Sequence, residues 1–393
     1  MTSALDHDMI ADVKGRQPIR VACTRVDDPE LAVQDLFGKL GASDLAGVIL
    51  FCSSRYPLDR LADALAARAG DLVVVGCTSS GEITPEGMAE GTITAVGFPA
   101  EGFRLAVECF ADLDRFEAAD AQGRIRALVA DANEWARRID AQPSHAAIFL
   151  VDGLSHREEM LTLALQDAFG EVPLIGGSSG DGLDFKETFI FCGTQFRRDA
   201  AVVALLSAER PMRVFRTQHH VPGATKMVIT AANPMTRVVH EINAEPAAVE
   251  YARLVGAQPD ELGPAIFAAH PPMVRAGGEH YVRSIQKANP DGSLTFYCAI
   301  DEGVVLTLGE GNDIVAGLET LFDRLDRDVG GVDRVIGFDC VLNSVEIEQR
   351  QLRGTVSAIY AKQGVIGFNT YGEQYHALHV NQTFTGLAIG RGC

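Results

Sequence analysis

Histidine is the residue type in this sequence best suited to chemistry. Ten are present, and seven lie in the C-terminal half: His219-His220 before Val-Pro, His240, His270 before Pro271-Pro272, His280 before Tyr281, and His376 with His379. A neutral imidazole nitrogen is the usual protein ligand for zinc and also serves as an axial ligand to haem iron. The three-residue spacing of His376 and His379 puts both on one helix face, yet Val380 to Ile389 reads as a strand, so the pair belongs to a loop entering it. His379 is therefore open to two readings, a buried histidine held by a neighbouring loop or a ligand to metal or haem. His219 and His270 are further candidates, His7 and His145 read as surface residues, and His240 reads as a solvent-facing helix residue.

Other chemistries have thinner support. The glycine-rich segments Gly76 to Glu82 and Gly176 to Asp181 lack the Lys-Ser/Thr of a phosphate loop, and an acidic residue follows each, so they read as tight turns where backbones pass closely. Ser79, Ser80, Ser178 and Ser179 have no G-x-S-x-G elbow around them. With 53 acidic residues no carboxylate pair stands out, and the chain is expected not to be an enzyme. The eight cysteines are scattered singly, with no C-x-x-C pair; most are expected to be reduced core residues, with Cys393 exposed.

The elements that must hold these residues follow a recurring order. Val48 to Cys52 reads as a strand, Leu58 to Ala69 as a helix, and Leu72 to Val75 as a strand ending in the Gly76 turn; Gly91 to Gly97 follows as a further strand. The order returns with Ala147 to Val151, Glu158 to Phe169, Val172 to Ile175 and the Gly176 turn, then Thr188 to Cys192. A looser copy runs from Val335 to Asp339 through a helical Glu346 to Gln351 and a strand at Ala358 to Ile366, to Gly367 and the Gly372-Glu373 turn. Strand start and turn glycine are 28, 29 and 32 residues apart in the three copies. The pattern predicts an α/β fold, with two domains built from related strand-helix-strand units and mixed sheets. Residues 1–20 read as an N-terminal tail, 21–211 as the first domain and 212–393 as the second. Within the second, Thr230 to Gly256 reads as helical, Pro259 to Pro290 as loops around short strands such as Tyr281 to Ile285, Leu294 to Ile300 and Val304 to Leu308 as a strand pair, and Asp313 to Leu325 as a helix.

Composition narrows the partners. Of the 393 residues 47% are hydrophobic, and 34 lysines and arginines against 53 acids leave a net charge of −19 at pH 7. Such a surface repels nucleic acid and anionic lipid, and no run of basic residues opposes it. No apolar stretch reaches membrane-spanning length and the first 20 residues are polar, so a cytoplasmic location is expected.

Val73 to Ile83, Ile175 to Asp181, and Gly372-Glu373 through Leu378-His-Val-Asn-Gln-Thr383 resemble the FIST sensory family, which pairs an N region with a C region. Thr217-Gln-His219, Phe267-Ala-Ala-His270-Pro, Tyr281 to Gln286 and His379 to Gly386 are similar to its NosP branch of bacterial nitric oxide-sensing haemoproteins. That resemblance implies haem b, nitric oxide bound at ferrous iron, and control in trans of a separate histidine kinase, diguanylate cyclase or phosphodiesterase. It makes His379 the first choice for axial ligand, with His219 and His270 as rivals. Arg275 and Arg283 are candidate partners for haem propionates. The wider family implies an alternative, a haem-free sensor binding a small metabolite such as an amino acid. A homodimer is left open.

Overall fold

The computed structural model describes residues 17–139 and 142–392. Most of the expected tail, residues 1–16, and the expected exposed Cys393 therefore lie outside the described residues. Three units repeat one order of elements: strand, helix, strand, helix, strand, hairpin, strand. The first has strands Arg20–Thr24, Leu45–Ser53, Val74–Ser79 and Ile93–Pro99, with helices Pro29–Leu40 and Leu58–Ala69. The second has strands Phe103–Ala111, Ser144–Val151, Leu174–Ser178 and Ala200–Ala208, with helices Ala118–Arg138 and Glu158–Phe169. The third has strands Met212–Thr217, Val332–Cys340, Val365–Thr370 and Phe384–Gly390, with helices Ile314–Val329, Val341–Gln349 and Arg353–Lys362. The fold is α/β with mixed sheets, since each unit pairs its two inner strands in parallel and its outer two antiparallel.

The units are interlocked rather than merely adjacent. The first unit's hairpin, Glu82–Thr84 with Gly87–Ala89, extends the third unit's sheet; the third unit's hairpin, Glu373–Tyr375 with Leu378–Val380, extends the second's; and the second unit's hairpin, Ile190–Cys192 with Gln195–Arg197, extends the first's. The exchange is cyclic, so the sheets do not separate at residue 212. The inner faces of all three meet in one core that includes Ile49, Phe51, Ile148, Leu150, Ile336, Phe338 and Phe368. Phe51 stacks on Phe368 at 4.7 Å and meets Phe338 edge-on at 6.3 Å, joining the first and third sheets. Helices cover the outer faces, with apolar stripes such as Leu61 and Leu65 turned inward.

Between strand Met212–Thr217 and helix Ile314–Val329 the third unit carries an insertion of antiparallel strands, His220–Asn233, Val238–Ile242, Pro272–Ala276, Glu279–Val282, Ile285–Ala288, Leu294–Phe296 and Val305–Gly311 among them. It differs from the expected elements in instructive ways. The apolar residues Val238, Val239 and Ile242 sit on a strand, and helix begins only at Ala247, after Pro246; His240 is exposed on that strand. β-Branched residues favour a strand over the helical spacing they mimic. Leu294–Phe296 and Val305–Gly311 pair with other strands and not with each other. In the third unit, Ala358 to Lys362 ends a helix and the strand starts at Val365, because Gln363-Gly364 breaks the chain between them.

The cysteines follow expectation except for one pair. Cys52, Cys77, Cys298 and Cys340 are free and buried, and Cys23 is free, but Cys109 and Cys192 are joined in a disulfide with their Cα atoms 6.3 Å apart. The exchanged hairpin carries Cys192 to the first sheet's edge, a contact invisible in a separation of 83 residues.

Candidate functional site

Gly76, Gly176 and Gly367 occupy one position in the three units, opposite Leu50, Phe149 and Gly337 on the parallel strand. A β-carbon at any of them would overlap the carbonyl oxygen opposite, so the glycines permit a close backbone approach. The carboxylates after the turns are internal clamps. Glu82 accepts from Ser79 Oγ and from Thr92 N and Oγ1 at 2.9 and 2.8 Å, and Glu373 accepts from Thr370 Oγ1 and from Thr383 N and Oγ1 at 3.1 and 2.7 Å. Each ties its hairpin to the start of the next strand. Burial, outweighing those hydrogen bonds, pushes Glu373 up to about 8.

The third unit departs from this symmetry in one respect. Asp339 aligns with Cys52 and Val151 in the strand registers, so only this unit places a carboxylate there. The central strand delivers it to the helix side of the sheet near its C-terminal end, where open α/β sheets place ligands. It is 1% exposed; Asn343 Nδ2 donates to one oxygen at 2.8 Å and Tyr360 Oη to the other at 3.0 Å. Burial raises it to about 6, against the pull of those two hydrogen bonds.

Asp339 faces a cavity of about 550 Å³. Its walls are Asn343, Ile347, Tyr360 and Phe384 of the third unit, the first turns of helix Ile314–Val329, and both chain crossings to the insertion, Thr217 to His219 and Asn312-Asp313. The lining holds two carboxylates, Asp313 and Asp339, and no lysine or arginine. Asp313 is committed to capping its helix through Val315 N and Ala316 N, at 2.9 and 3.1 Å. Asn343 Oδ1 is buried with no partner among the described residues. The volume suits a metabolite, and the charge favours a cation.

The candidate haem residues are dispersed around this framework. His219 borders the cavity, with Nε2 2.7 Å from Glu346 Oε2. His379 is buried in the exchanged hairpin, where Nδ1 meets Gln374 Nε2 at 3.2 Å while Nε2 has no partner among the described residues. Burial lowers its basicity, opposed by Glu159 and Glu158. His270 ends the short helix Pro264–Ala269, and its carbonyl accepts from Tyr251 Oη at 2.8 Å. Arg275 is exposed on strand Pro272–Ala276, and Arg283 is half-buried close enough to His379 and Cys298 to act on their charge states. His376, in the hairpin turn at positive φ, does not share a helix face with His379.

A haem does not fit these residues as they stand. The free edge of His379 lies against Gly372, where a β-carbon would overlap the ring and stand only 2.8 Å from Nε2. His219 has its Nε2 engaged by Glu346, and the cavity beside it is lined by carboxylates that would repel propionates. Sequence reasoning passed over Asp339, Asn343 and Tyr360. The signal for Asp339 was an acid where the two other copies of the strand carry cysteine and valine.

Three interlocked α/β units, one of them carrying both an insertion and a cavity at its root, make up a modular α/β scaffold. Residues 46–245 match the FIST N domain and residues 247–376 the FIST C domain. The chain belongs to the FIST family, whose domains are sensor domains of signal transduction. The junction of the two matches falls within the insertion, just before helix Ala247–Val255. A search of curated proteins found no match to the chain. No helix among the described residues is long and apolar enough to cross a membrane.

Proposed function

We propose that this protein is a sensor for a small polar metabolite carrying an amino group, held in the third-unit cavity. The observation that carries the reading is Asp339, a buried carboxylate facing a cavity with no basic residue in its lining. The ligand's ammonium group pairs with Asp339, and Asn343 Oδ1 and the Asn312 region supply hydrogen bonds. Both crossings to the insertion form the cavity wall, so filling it biases how the insertion sits on the third unit. A separate histidine kinase or cyclic-di-GMP enzyme reads that bias in trans. The shift it senses is bounded by the ligand's differential affinity for the two arrangements.

Thermal unfolding of the haem-free protein against a panel of the twenty amino acids and simple amines tests this. A ligand at a hundredfold excess over its Kd stabilises by about 2.7 kcal/mol, a readily measured rise in Tm. The expected result is a rise for at least one compound that disappears in Asp339→Asn. A panel without any shift, or an equal shift in the variant, overturns the reading.

Haem-based nitric oxide sensing is the second reading. Its support is the unpartnered Nε2 of His379 with Arg283 nearby, and it requires the hairpin around Gly372 to open. A Soret band after haem supplementation that is lost in His379→Ala favours it over the first.

A further inference from the structure

His219, His220 and Glu346 bring three ligand atoms within 4.8 Å of one another at the root of the insertion. The two histidines lie where the chain leaves the third unit, and Glu346 projects from helix Val341–Gln349. Glu346 Oε2 stands 2.7 Å from His219 Nε2 and 3.5 Å from His220 Nε2. Ligand separations around a tetrahedral zinc with bonds of about 2.0–2.1 Å fall in this range after small side-chain shifts. The other carboxylate oxygen, Oε1, accepts from Arg350 at 3.1 Å, which orients the group and leaves Oε2 turned to the histidines.

A second observation points to a missing partner. His220 is 1% exposed, and neither ring nitrogen makes a well-formed hydrogen bond among the described residues, its polar neighbours being the Ala268 backbone and Glu346 Oε2 at 3.5 Å. Buried polar atoms are seldom left so. Gly311, on the returning strand, has no side chain over this space: a β-carbon there would lie 3.3 Å from Glu346 Oε1 and 3.8 Å from His220 Nε2. His219 also lines the cavity, so one side of the cluster is open to incoming solutes.

We propose that His219, His220 and Glu346 form a site for a divalent transition metal ion, zinc by ligand type, that ties the insertion's first strand to the third unit. Two imidazoles and one carboxylate suit zinc and neighbouring first-row ions, and leave a coordination position toward the cavity. The proposal depends neither on the identity of the cavity's ligand nor on haem.

The test is equilibrium dialysis of the full, chelator-stripped chain against zinc alone, with metal content measured after gel filtration and Tm recorded with and without zinc. The expected result is one ion per chain, a rise in Tm on loading, and more than about a tenfold loss of affinity in both Glu346→Gln and His219→Gln. Glu346→Gln preserves shape, and circular dichroism confirms that each variant folds. If His219→Gln fails to fold, Glu346→Gln and the stoichiometry of the wild type decide. Well under one ion per chain, or undiminished binding in the folded variants, overturns the proposal. Neither result bears on amine binding at Asp339.

Discussion

Replacing Arg237 with methionine should loosen the insertion from the second unit. Arg237 lies in the turn between strands His220–Asn233 and Val238–Ile242, and its side chain is 4% exposed. Its Nη2 donates to Glu158 and Glu159 of helix Glu158–Phe169, both at 2.6 Å, and its Nη1 donates to the carbonyl of Tyr297. Glu158 is as buried as the arginine, while Glu159 is partly exposed and also accepts from Ala299 N at 2.7 Å. Methionine keeps most of the apolar stem and leaves Glu158 as a buried charge with no counterion. Breaking a buried pair in this way costs about 3–5 kcal/mol. Exchanging Glu158 for glutamine as well removes the stranded charge, and the double variant should recover at least about 1 kcal/mol relative to additive losses. Urea unfolding at pH 7 reads this by circular dichroism together with fluorescence of Trp135, the chain's one tryptophan, on the second unit's helix Ala118–Arg138. A loss below about 1 kcal/mol in Arg237→Met, or a double variant no better than the sum of its singles, would refute the claim that this ion pair docks the insertion.

Two further perturbations probe the repeated units. The carboxyl of Glu373 is raised from 4.5 to about 8, so the native state holds its proton while the unfolded chain releases it. Stability is then lost as pH rises from about 4.5 to about 8, by up to about 1.4 kcal/mol per pH unit, and Glu373→Gln should remove that slope in urea titrations at pH 5.5 and 7.5; parallel curves for wild type and variant contradict it. Gly176→Ala should destabilise by at least about 1–3 kcal/mol because its β-carbon meets the Phe149 carbonyl, whereas Gly123→Ala, in an open helical position, should be neutral or stabilising by up to about 1 kcal/mol; equal effects of the two would remove the argument for a close strand approach.

The repeated unit was legible because its signals are local. Helices Leu58–Ala69 and Glu158–Phe169 fall where their apolar spacing placed them, and the apolar runs at Val48, Ala147 and Val335 are central strands. Gly76, Gly176 and Gly367, which read as turn glycines, instead lie inside the second strands, where the parallel backbone opposite leaves no room for a side chain. What stayed hidden was non-local. Nothing in Gly81-Glu82 or the residues beside them reveals that this hairpin pairs with Gly367 and Phe368 of the third sheet, since hairpin pairing at an edge depends on which strand is left free by the rest of the fold. The disulfide and the ion pair of Arg237 are consequences of that exchange and of the insertion's docking. The site was legible only in part. His219 was singled out by its type, but His220 and Glu346 gain meaning only once a helix and a strand crossing meet, and Asp339 stands out only when three strand registers are superposed.

The claim that the third-unit cavity is a receptor for an amine-bearing metabolite is tested most directly by isothermal titration of the haem-free chain with each compound that raises its Tm. The account predicts one site per chain for such a compound and loss of that binding in Asp339→Asn, a variant that retains the wild-type circular dichroism spectrum. Binding of undiminished affinity in that variant would contradict it.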